Sequence, residues 1–155
     1  FSPAADVFAG LGTGPEVTLW SYPEFSRHAL LVGHRLPVYD ARWSDDGTRV
    51  LTRGKDNLAF LWDSETGEPL VELANVRLQS TIAVGAAQMA VQDGAERLTI
   101  VDIATGARLF AVAVRSLVDA AFDSSGRRLY LVEGQSRNVM TLRVVELYEL
   151  EAPLQ

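Results

Sequence analysis

Apolar residues occur along this chain in short runs, separated by turns rich in Gly, Asp, Ser and Thr. Several runs, such as Leu58–Trp62 and Leu129–Val132, are apolar at every position. Strands that are buried on both faces have this composition, whereas a sheet with one wet face alternates apolar and polar residues. No window longer than about 12 residues keeps a helical period of 3.6 without a turn breaking it. The pattern predicts an all-β fold of short strands with almost no helix.

Landmarks in these strands and turns recur with a period close to 40 residues. They are the turn glycines Gly47, Gly85 and Gly126 and the strand ends Trp20, Trp62 and Val101. The glycines are 38 and 41 residues apart, and the strand ends are 42 and 39 residues apart. A period of this length with four short strands in each unit is typical of the blades of a β-propeller.

The period divides the chain into parts of four blades, over residues 1–32, 33–73, 74–113 and 114–155. The predicted strands are 6–10, 16–21 and 28–32 in the first; 37–43, 48–53, 58–62 and 69–73 in the second; 78–84, 87–92, 97–102 and 108–113 in the third; and 117–122, 127–133 and 138 to about 147 in the fourth. We therefore expect one propeller segment of about four four-stranded antiparallel blades, the first and last incomplete. Four blades are near the lower limit for closing a ring, so the segment is expected to be part of a larger propeller.

The second unit carries the most specific motif, GHRLPVYDARWSDDGTRVLTRGKDNLAFLWDSETGEPL, over Gly33–Leu70. It contains a Gly-His pair, an Asp-Gly turn, an Asp in a second turn and a Trp-Asp pair, in that order. This string resembles one complete WD-repeat, and the period and turns extend the resemblance over nearly the whole chain. The resemblance implies a propeller that binds other proteins, because members of that family rarely catalyse reactions.

In WD-repeats, a His, a Ser or Thr, an Asp and a Trp form a hydrogen-bond network that ties the blade together. The resemblance assigns these roles to His34, Thr52, Asp56 and Trp62. A buried carboxylate needs donors, which an imidazole and turn amides can supply, and a hydroxyl can link the imidazole to an indole N–H. The same residues also permit a catalytic interpretation, a nucleophile with a base and an orienting group. The spacing favours the structural network.

The other units depart from this motif. The first keeps Trp20 but has Ser21 where Asp usually follows, the third has Val101-Asp102, and the fourth has no Trp. We expect those blades to be held together by apolar packing.

Other sequence features give weaker candidates for a site. Gly10–Gly14 resembles a phosphate-binding loop but lacks the Lys and Ser/Thr of a P-loop, which favours a turn between strands. Turn chemistry explains the pair Asp45/Asp46, and Glu149/Glu151 is typical of a solvated tail. With His28 and His34 as the only His residues and no Cys, little material exists for a metal site. We expect neither a metal nor a cofactor, and no enzymatic activity.

Composition narrows the class of partner. The 155 residues are 48% hydrophobic and 22% charged, with a net charge of −6, as in an ordinary globular domain. The acidic excess argues against a nucleic acid or an anionic membrane as the main partner. No apolar run reaches the length of a membrane-spanning helix. The absence of Cys excludes disulfides and thiol catalysis but does not select a compartment. The location is left open, with the cytoplasm favoured.

The leading hypothesis is a protein-interaction or regulatory module that binds a protein or peptide. Its candidate contact residues are Tyr39 and Lys55 near the rim of the second blade, with Asp119 and Gln135 as their rough counterparts in the fourth. Two alternatives stay open: a ligand-binding or enzymatic propeller with a site in its central funnel, and a purely structural scaffold. The open blade faces of the segment require a cover, either the remainder of the propeller or a second copy.

Overall fold

The computed structural model describes residues 1–76, 82–85, 87–92, 95–123, 125–136 and 139–147. These residues contain β-strands and no helix, as the sequence predicts. The chain divides into two compact units, Phe1–Gln79 and Ser80–Gln155. The division of residues 1–155 into blades of one propeller segment stays a prediction.

Fourteen strands form four antiparallel sheets. In the first unit they are β1 (Val7–Leu11), β2 (Val17–Ser21), β3 (Arg27–Leu31), β4 (Val38–Trp43), β5 (Arg49–Gly54), β6 (Leu58–Asp63) and β7 (Pro69–Ala74). In the second unit they are β8 (Ile82–Val84), β9 (Gln88–Gln92), β10 (Arg97–Asp102), β11 (Arg108–Ala113), β12 (Leu117–Phe122), β13 (Arg128–Ser136) and β14 (Val139–Glu146). The sheet orders are β1-β2-β3, β4-β5-β6-β7, β8-β9-β10-β11 and β12-β13-β14. The predicted fold class, two complete four-stranded sheets between two incomplete ones, is confirmed.

The observed strands agree with the predicted ones to within a few residues at most ends. The clearest difference is β13, which continues to Ser136 where the prediction ended at Glu133. Leu78 and Asn138, where two strands were predicted to begin, lie outside the described residues, as do Glu149 and Glu151.

The core of the first unit lies between its two sheets. Alternate residues of β1–β3, among them Val17, Leu19 and Leu31, pack against Val50 and Trp62 of the second sheet. All five are at most 1% exposed. Burial of such side chains contributes roughly 1.5–3 kcal/mol each, so this layer is a main source of the unit's stability.

The second unit has an aliphatic core of its own. Leu98 and Ile100 of β10 pack with Leu129 and Leu131 of β13, and all four are fully buried. These four side chains form the centre of the layer between β10 and β13.

Two turns of the same design precede the outermost strands of the complete sheets. The carboxylates of Asp63 and Asp102 accept hydrogen bonds from the amide and the hydroxyl of Thr66 and Thr105, respectively. The glycine that follows each Thr has a φ near +70° (+74° and +72°), a conformation that favours Gly because it lacks Cβ. The Thr-Gly pairs at equivalent positions in the sequence thus mark equivalent turns.

Candidate functional site

The four residues assigned to the network lie in series within the second sheet. His34 precedes β4, Thr52 lies on β5, Asp56 lies in the turn after β5, and Trp62 lies on β6. The His34 Nδ1 atom is 3.1 Å from both Asp56 carboxylate oxygens, and its Nε2 atom is 2.9 Å from Thr52 Oγ1. The Trp62 indole donates to the same hydroxyl over 2.8 Å. The structure therefore brings all four residues together, although their contribution to stability stays a prediction.

The bonding pattern assigns the hydrogen on the imidazole. Thr52 is fully buried, and its oxygen already accepts the Trp62 N–H. The ionised Asp56 carboxylate can only accept, so Nδ1 of a neutral His34 ring donates to it, and Nε2 accepts the hydrogen of Thr52. His34 therefore carries a hydrogen on Nδ1 and donates it to Asp56. Each polar side-chain group of the network has a partner within the blade.

Asp56 is an ionised carboxylate held by donors from two loops. Its side chain is 6% exposed, and it accepts from the amides of Arg35 over 2.8 Å and Leu58 over 3.1 Å. Burial raises the pKa of Asp56, but these amides and His34 favour the charged form more strongly, so its pKa lies below the ordinary value. The carboxylate thereby joins the segment before β4 to the β5–β6 turn.

Two glycines make room for the network, and sequence reasoning missed both roles. A Cβ on Gly54 would lie 2.6 Å from Asp56 Oδ1, and a Cβ on Gly33 would lie 2.8 Å from the Trp62 ring. Real Cβ atoms do not approach other atoms so closely, so both positions require Gly. The sequence indicated only that Gly33 directly precedes His34 and that Gly54 lies between Thr52 and Asp56.

The strand register identifies the equivalents of Thr52 in the other sheets. Val50 pairs with Trp62, as Phe8 pairs with Trp20 and Met89 pairs with Val101. The residues two positions after Val50, Phe8 and Met89 are Thr52, Gly10 and Val91, and the equivalent on β13 is Leu131. Among these four equivalent positions, the hydroxyl is present in the second sheet alone.

Tyr39 lies at a bulge on β4, a position that turns its side chain out of the regular alternation. The register of β4 and β5 shifts between Val38 and Asp40. The guanidinium of Arg53 lies 5.4 Å from the centre of the Tyr39 ring and also pairs with Asp40. Burial raises the pKa of Tyr39, although the charge of Arg53 opposes that change. Arg53 and Asp40 belong to this cluster, and the sequence analysis did not select them.

Lys55 is exposed just after β5, and its amide donates to the Pro37 carbonyl over 2.9 Å. In the second unit, the equivalent bond runs from Gly134 to Ser116, and the equivalent bulge is at Val118. The register counterparts of Tyr39 and Lys55 are therefore Val118 and Gly134, one residue before Asp119 and Gln135. Both predicted residues are exposed, and Asp119 aligns with Asp40.

The weaker candidates lie in ordinary turns. Gly12 and Gly14 lie in the loop between antiparallel β1 and β2. Asp46 Oδ1 accepts from Ser44 Oγ over 2.6 Å and from the Thr48 amide over 3.0 Å, as in a turn. His28 lies 3.4 Å from the exposed Glu65 carboxylate, at the wall of a cavity of about 400 Å³ in the first unit.

Metal and membrane sites were searched for over the described part of the chain. It holds no group of three or more His, Asp or Glu side chains placed to bind a metal ion. It likewise holds no helix with the length and hydropathy needed to cross a membrane.

The chain is similar to two known proteins, each over part of that protein's length. No protein-family model matches the chain. A 69-residue region, 44% of the chain, is 30% identical to the U5 small nuclear ribonucleoprotein 40 kDa protein of Dictyostelium discoideum, of which it spans 19%. A chain in the crystal structure of the mitotic checkpoint complex aligns with a TM-score of 0.67 and 18% identity, over 88% of this chain and 44% of that one. This chain thus spans less than half of either protein.

The antiparallel three- and four-stranded sheets define a protein of the β-propeller class, with blades of which the first and last are incomplete. Within that class, both comparisons support a WD-repeat propeller, matched in part. The resemblance to WD-repeats is confirmed as a partial match.

Proposed function

We propose that this chain is a non-catalytic protein-interaction module within a larger WD-repeat propeller protein. The observation that carries the proposal is the saturation of the His34–Thr52–Asp56 network. These are the residues from which a nucleophile and a base could be built, yet every polar side-chain group among them is engaged within the blade. A catalytic Thr must reach a substrate, and Thr52 is fully buried.

The relatives support a role in assembly. The similar proteins are a component of a ribonucleoprotein and a chain of a checkpoint complex, both named for assemblies. WD-repeat relatives are consistent with a scaffold or regulatory module that has protein partners. The finer assignment, a module that belongs to a longer propeller protein, is our proposal.

The contact site proposed on the first unit is the rim around Tyr39 and Lys55. Tyr39 is half-buried beside the buried Arg53, and its hydroxyl is buried without a hydrogen-bond partner among the described residues. Tyr and Arg are enriched among residues that dominate binding energy, because they combine apolar area with directional polar groups. Lys55 adds an exposed cation beside them. Asp119 and Gln135 are proposed as contacts on the second unit.

A larger propeller would also cover apolar surface that the chain leaves open. In the last sheet, Val118, Met140, Leu142 and Val144 are 44–63% exposed. The β6 equivalents of Leu142 and Val144 are Ala59 and Leu61, and both are buried. Exposed apolar patches of this kind mark interaction surfaces. We propose that further blades or a second copy cover them.

The proposal is tested by affinity capture from an extract with quantitative mass spectrometry. The double variant Tyr39→Ala, Lys55→Glu should reduce the recovery of specific partners by at least about tenfold, which corresponds to a loss of about 1.4 kcal/mol of binding free energy. A matched control is Tyr22→Ala, Arg108→Glu, which changes an exposed aromatic residue and an exposed cation outside both proposed contact sites. Equal loss in both variants would reject the rim residues.

The non-catalytic part of the proposal has a separate test. A panel of hydrolase, transferase and redox assays on the protein should give no turnover above the level of a His34→Ala variant. Activity that disappears in His34→Ala, while circular dichroism shows an unchanged fold, would reject the module and favour an enzyme.

A further inference from the structure

The accessible charge around the contact site proposed on the first unit is positive, although the chain as a whole has a net charge of −6. The site lies where the residues before and at the start of β4 meet the β5–β6 turn, and we call residues 33–40 and 53–58 the rim segments. Arg35 and Lys55 lie on these two segments, and both are exposed. Neither side chain forms an ion pair with another residue that the structure describes.

The two carboxylates of the rim segments are already engaged within the sheet. Asp40 pairs with the guanidinium of Arg53, and its Oδ2 atom lies 3.3 Å from Arg42 Nε. The Asp56 side chain is 6% exposed and accepts from His34 and from two backbone amides. The negative charges are therefore covered, whereas the two cations face solvent.

One exposed carboxylate lies on the neighbouring loop between β1 and β2. This loop meets the rim segments where the Val38 amide donates to the Gly14 carbonyl over 3.4 Å. The loop carries Glu16, which is exposed. Exposed cations thus outnumber exposed carboxylates by two to one over the rim segments and this loop. Such a surface favours an anionic partner, because charge complementarity steers the encounter and selects the partner.

The backbone that carries both cations is held in place. The Arg35 amide donates to the Asp56 carboxylate over 2.8 Å, and the Lys55 amide donates to the Pro37 carbonyl over 2.9 Å. Leu36, which directly follows Arg35, is 48% exposed and adds an apolar contact. A partner therefore meets two cations and an apolar side chain on an ordered backbone, which lowers the entropy cost of binding.

We propose that the rim segments bind a short acidic segment of a partner protein, in which an apolar residue lies between carboxylates. This inference rests on the proposed function, which assigns a protein partner to this rim. The guanidinium of Arg35 suits a carboxylate in a bidentate pair, whereas the Lys55 ammonium binds as a point charge. Acidic motifs are commonly recognised by clustered cations. A peptide suits the surface better than a nucleic acid does, because two exposed cations neutralise few phosphates and the net charge of −6 repels a long polyanion.

The probe is the acetylated and amidated peptide GEELEEG, titrated into the protein at low salt and followed by NMR. We expect saturable binding, with shift changes centred on the amides of Arg35, Leu36 and Lys55. The neutral peptide GQQLQQG and the basic peptide GKKLKKG should bind at least about tenfold more weakly. Raising the salt from about 0.05 M to about 0.5 M should weaken binding of GEELEEG by about fivefold or more, since exposed ion pairs are screened.

Matched variants of the protein complete the test. Arg35→Gln and Lys55→Gln should each weaken binding of GEELEEG by about three- to fivefold, and the double variant by about tenfold or more. Arg27→Gln and Arg108→Gln, which make the same change at exposed Arg residues outside the rim segments, should leave it unchanged. Leu36→Ser should weaken binding of GEELEEG but not of GEEGEEG, which lacks the apolar residue.

The inference is wrong if GEELEEG and GQQLQQG bind equally, if the double variant binds like the unmodified protein, or if millimolar peptide causes no shift change. Tighter binding of a single-stranded oligonucleotide with the same number of charges would also overturn it. Partner capture that depends on Tyr39 and Lys55 but is not reduced by added GEELEEG would overturn this inference and leave the proposed function in place. Release of the captured partner by GEELEEG, and not by GQQLQQG, would support both.

Discussion

The two complete sheets are built on the same backbone plan but stabilised by different chemistry. In β4–β7, a buried hydrogen-bond chain links His34, Thr52, Asp56 and Trp62. In β8–β11, the equivalents of Thr52 and Trp62 are Val91 and Val101, which are also fully buried. The turn before the outermost strand is the same in both. Both sheets thus share a densely packed interior and the same turn before the outermost strand. The interior itself can be filled either by a polar network or by aliphatic side chains.

The two solutions should respond differently to mutation. An apolar centre loses stability by the volume removed, while a polar network loses it by the groups left unpaired. A network also restricts the arrangement, since each donor must keep an acceptor within hydrogen-bonding distance. We infer that β4–β7 has the more sharply defined geometry of the two, which suits the contact site proposed there.

The largest effect is expected for Asp56→Ala. Removing the carboxylate leaves the amides of Arg35 and Leu58 and the His34 ring without their acceptor. The free energy of unfolding should fall by about 2–4 kcal/mol, measured by urea denaturation. Asp119→Ala, at an exposed carboxylate, should change it by less than about 0.5 kcal/mol. Equal midpoints for Asp56→Ala and the unmodified protein would show that the network adds nothing to stability.

The next effect compares the equivalent positions directly. Thr52→Val should cost about 1–3 kcal/mol, because it keeps the shape but leaves the Trp62 N–H and His34 Nε2 unpaired. Val91→Thr should cost a similar amount by placing a hydroxyl in an apolar centre. In a double-mutant cycle, Thr52→Val and Trp62→Phe should be coupled, since the second change removes the orphaned donor. Additive costs would argue against the bond.

Gly67 and Gly106 test the turn that the two complete sheets have in common. Gly106→Ala should cost about 1–2 kcal/mol, the strain of a side chain at positive φ. Gly67→Ala should cost at least as much, because its Cβ would also lie 3.0 Å from the Leu30 carbonyl oxygen. Thermal denaturation of both variants measures this. A neutral result at Gly106 would mean that the turn in the third sheet relaxes more readily than its twin.

The smallest effect is expected on the stability of the protein at acidic pH. Hydrogen bonds hold the pKa of Asp56 and of Asp102 below the ordinary value, the Thr105 hydroxyl being the main cause at Asp102. A lowered folded-state pKa adds stability above the unfolded value of about 4, and this is lost as pH falls through the folded value. Stability should therefore decline below about pH 4, with a shallower decline in Asp56→Asn and Asp102→Asn. An unchanged slope in both variants would contradict these shifts.

Much of the architecture was accessible from local signals. The strands and the Thr-Gly turns could be predicted because apolar runs and positive-φ residues depend on neighbours in sequence. The four network residues were selected from the resemblance and their spacing. The rim residues of the second unit were harder to predict from the sequence. Asp119 and Gln135 each lie one residue after the register counterparts of Tyr39 and Lys55, which are Val118 and Gly134. A bulge adds a residue to one strand, and no period in the sequence records where it falls.

The sequence by itself determined the all-β class, the order of the strands and the residue types that fill each sheet, because these follow from periodicity and turn chemistry. Only the tertiary structure decided that Gly54 must lack a side chain beside His34 and Asp56. It also decided where the bulge on β4 falls, between Val38 and Asp40, which sets the orientation of Tyr39. Both depend on contacts between segments distant in sequence, and the identity of a residue does not encode the distance to such a neighbour.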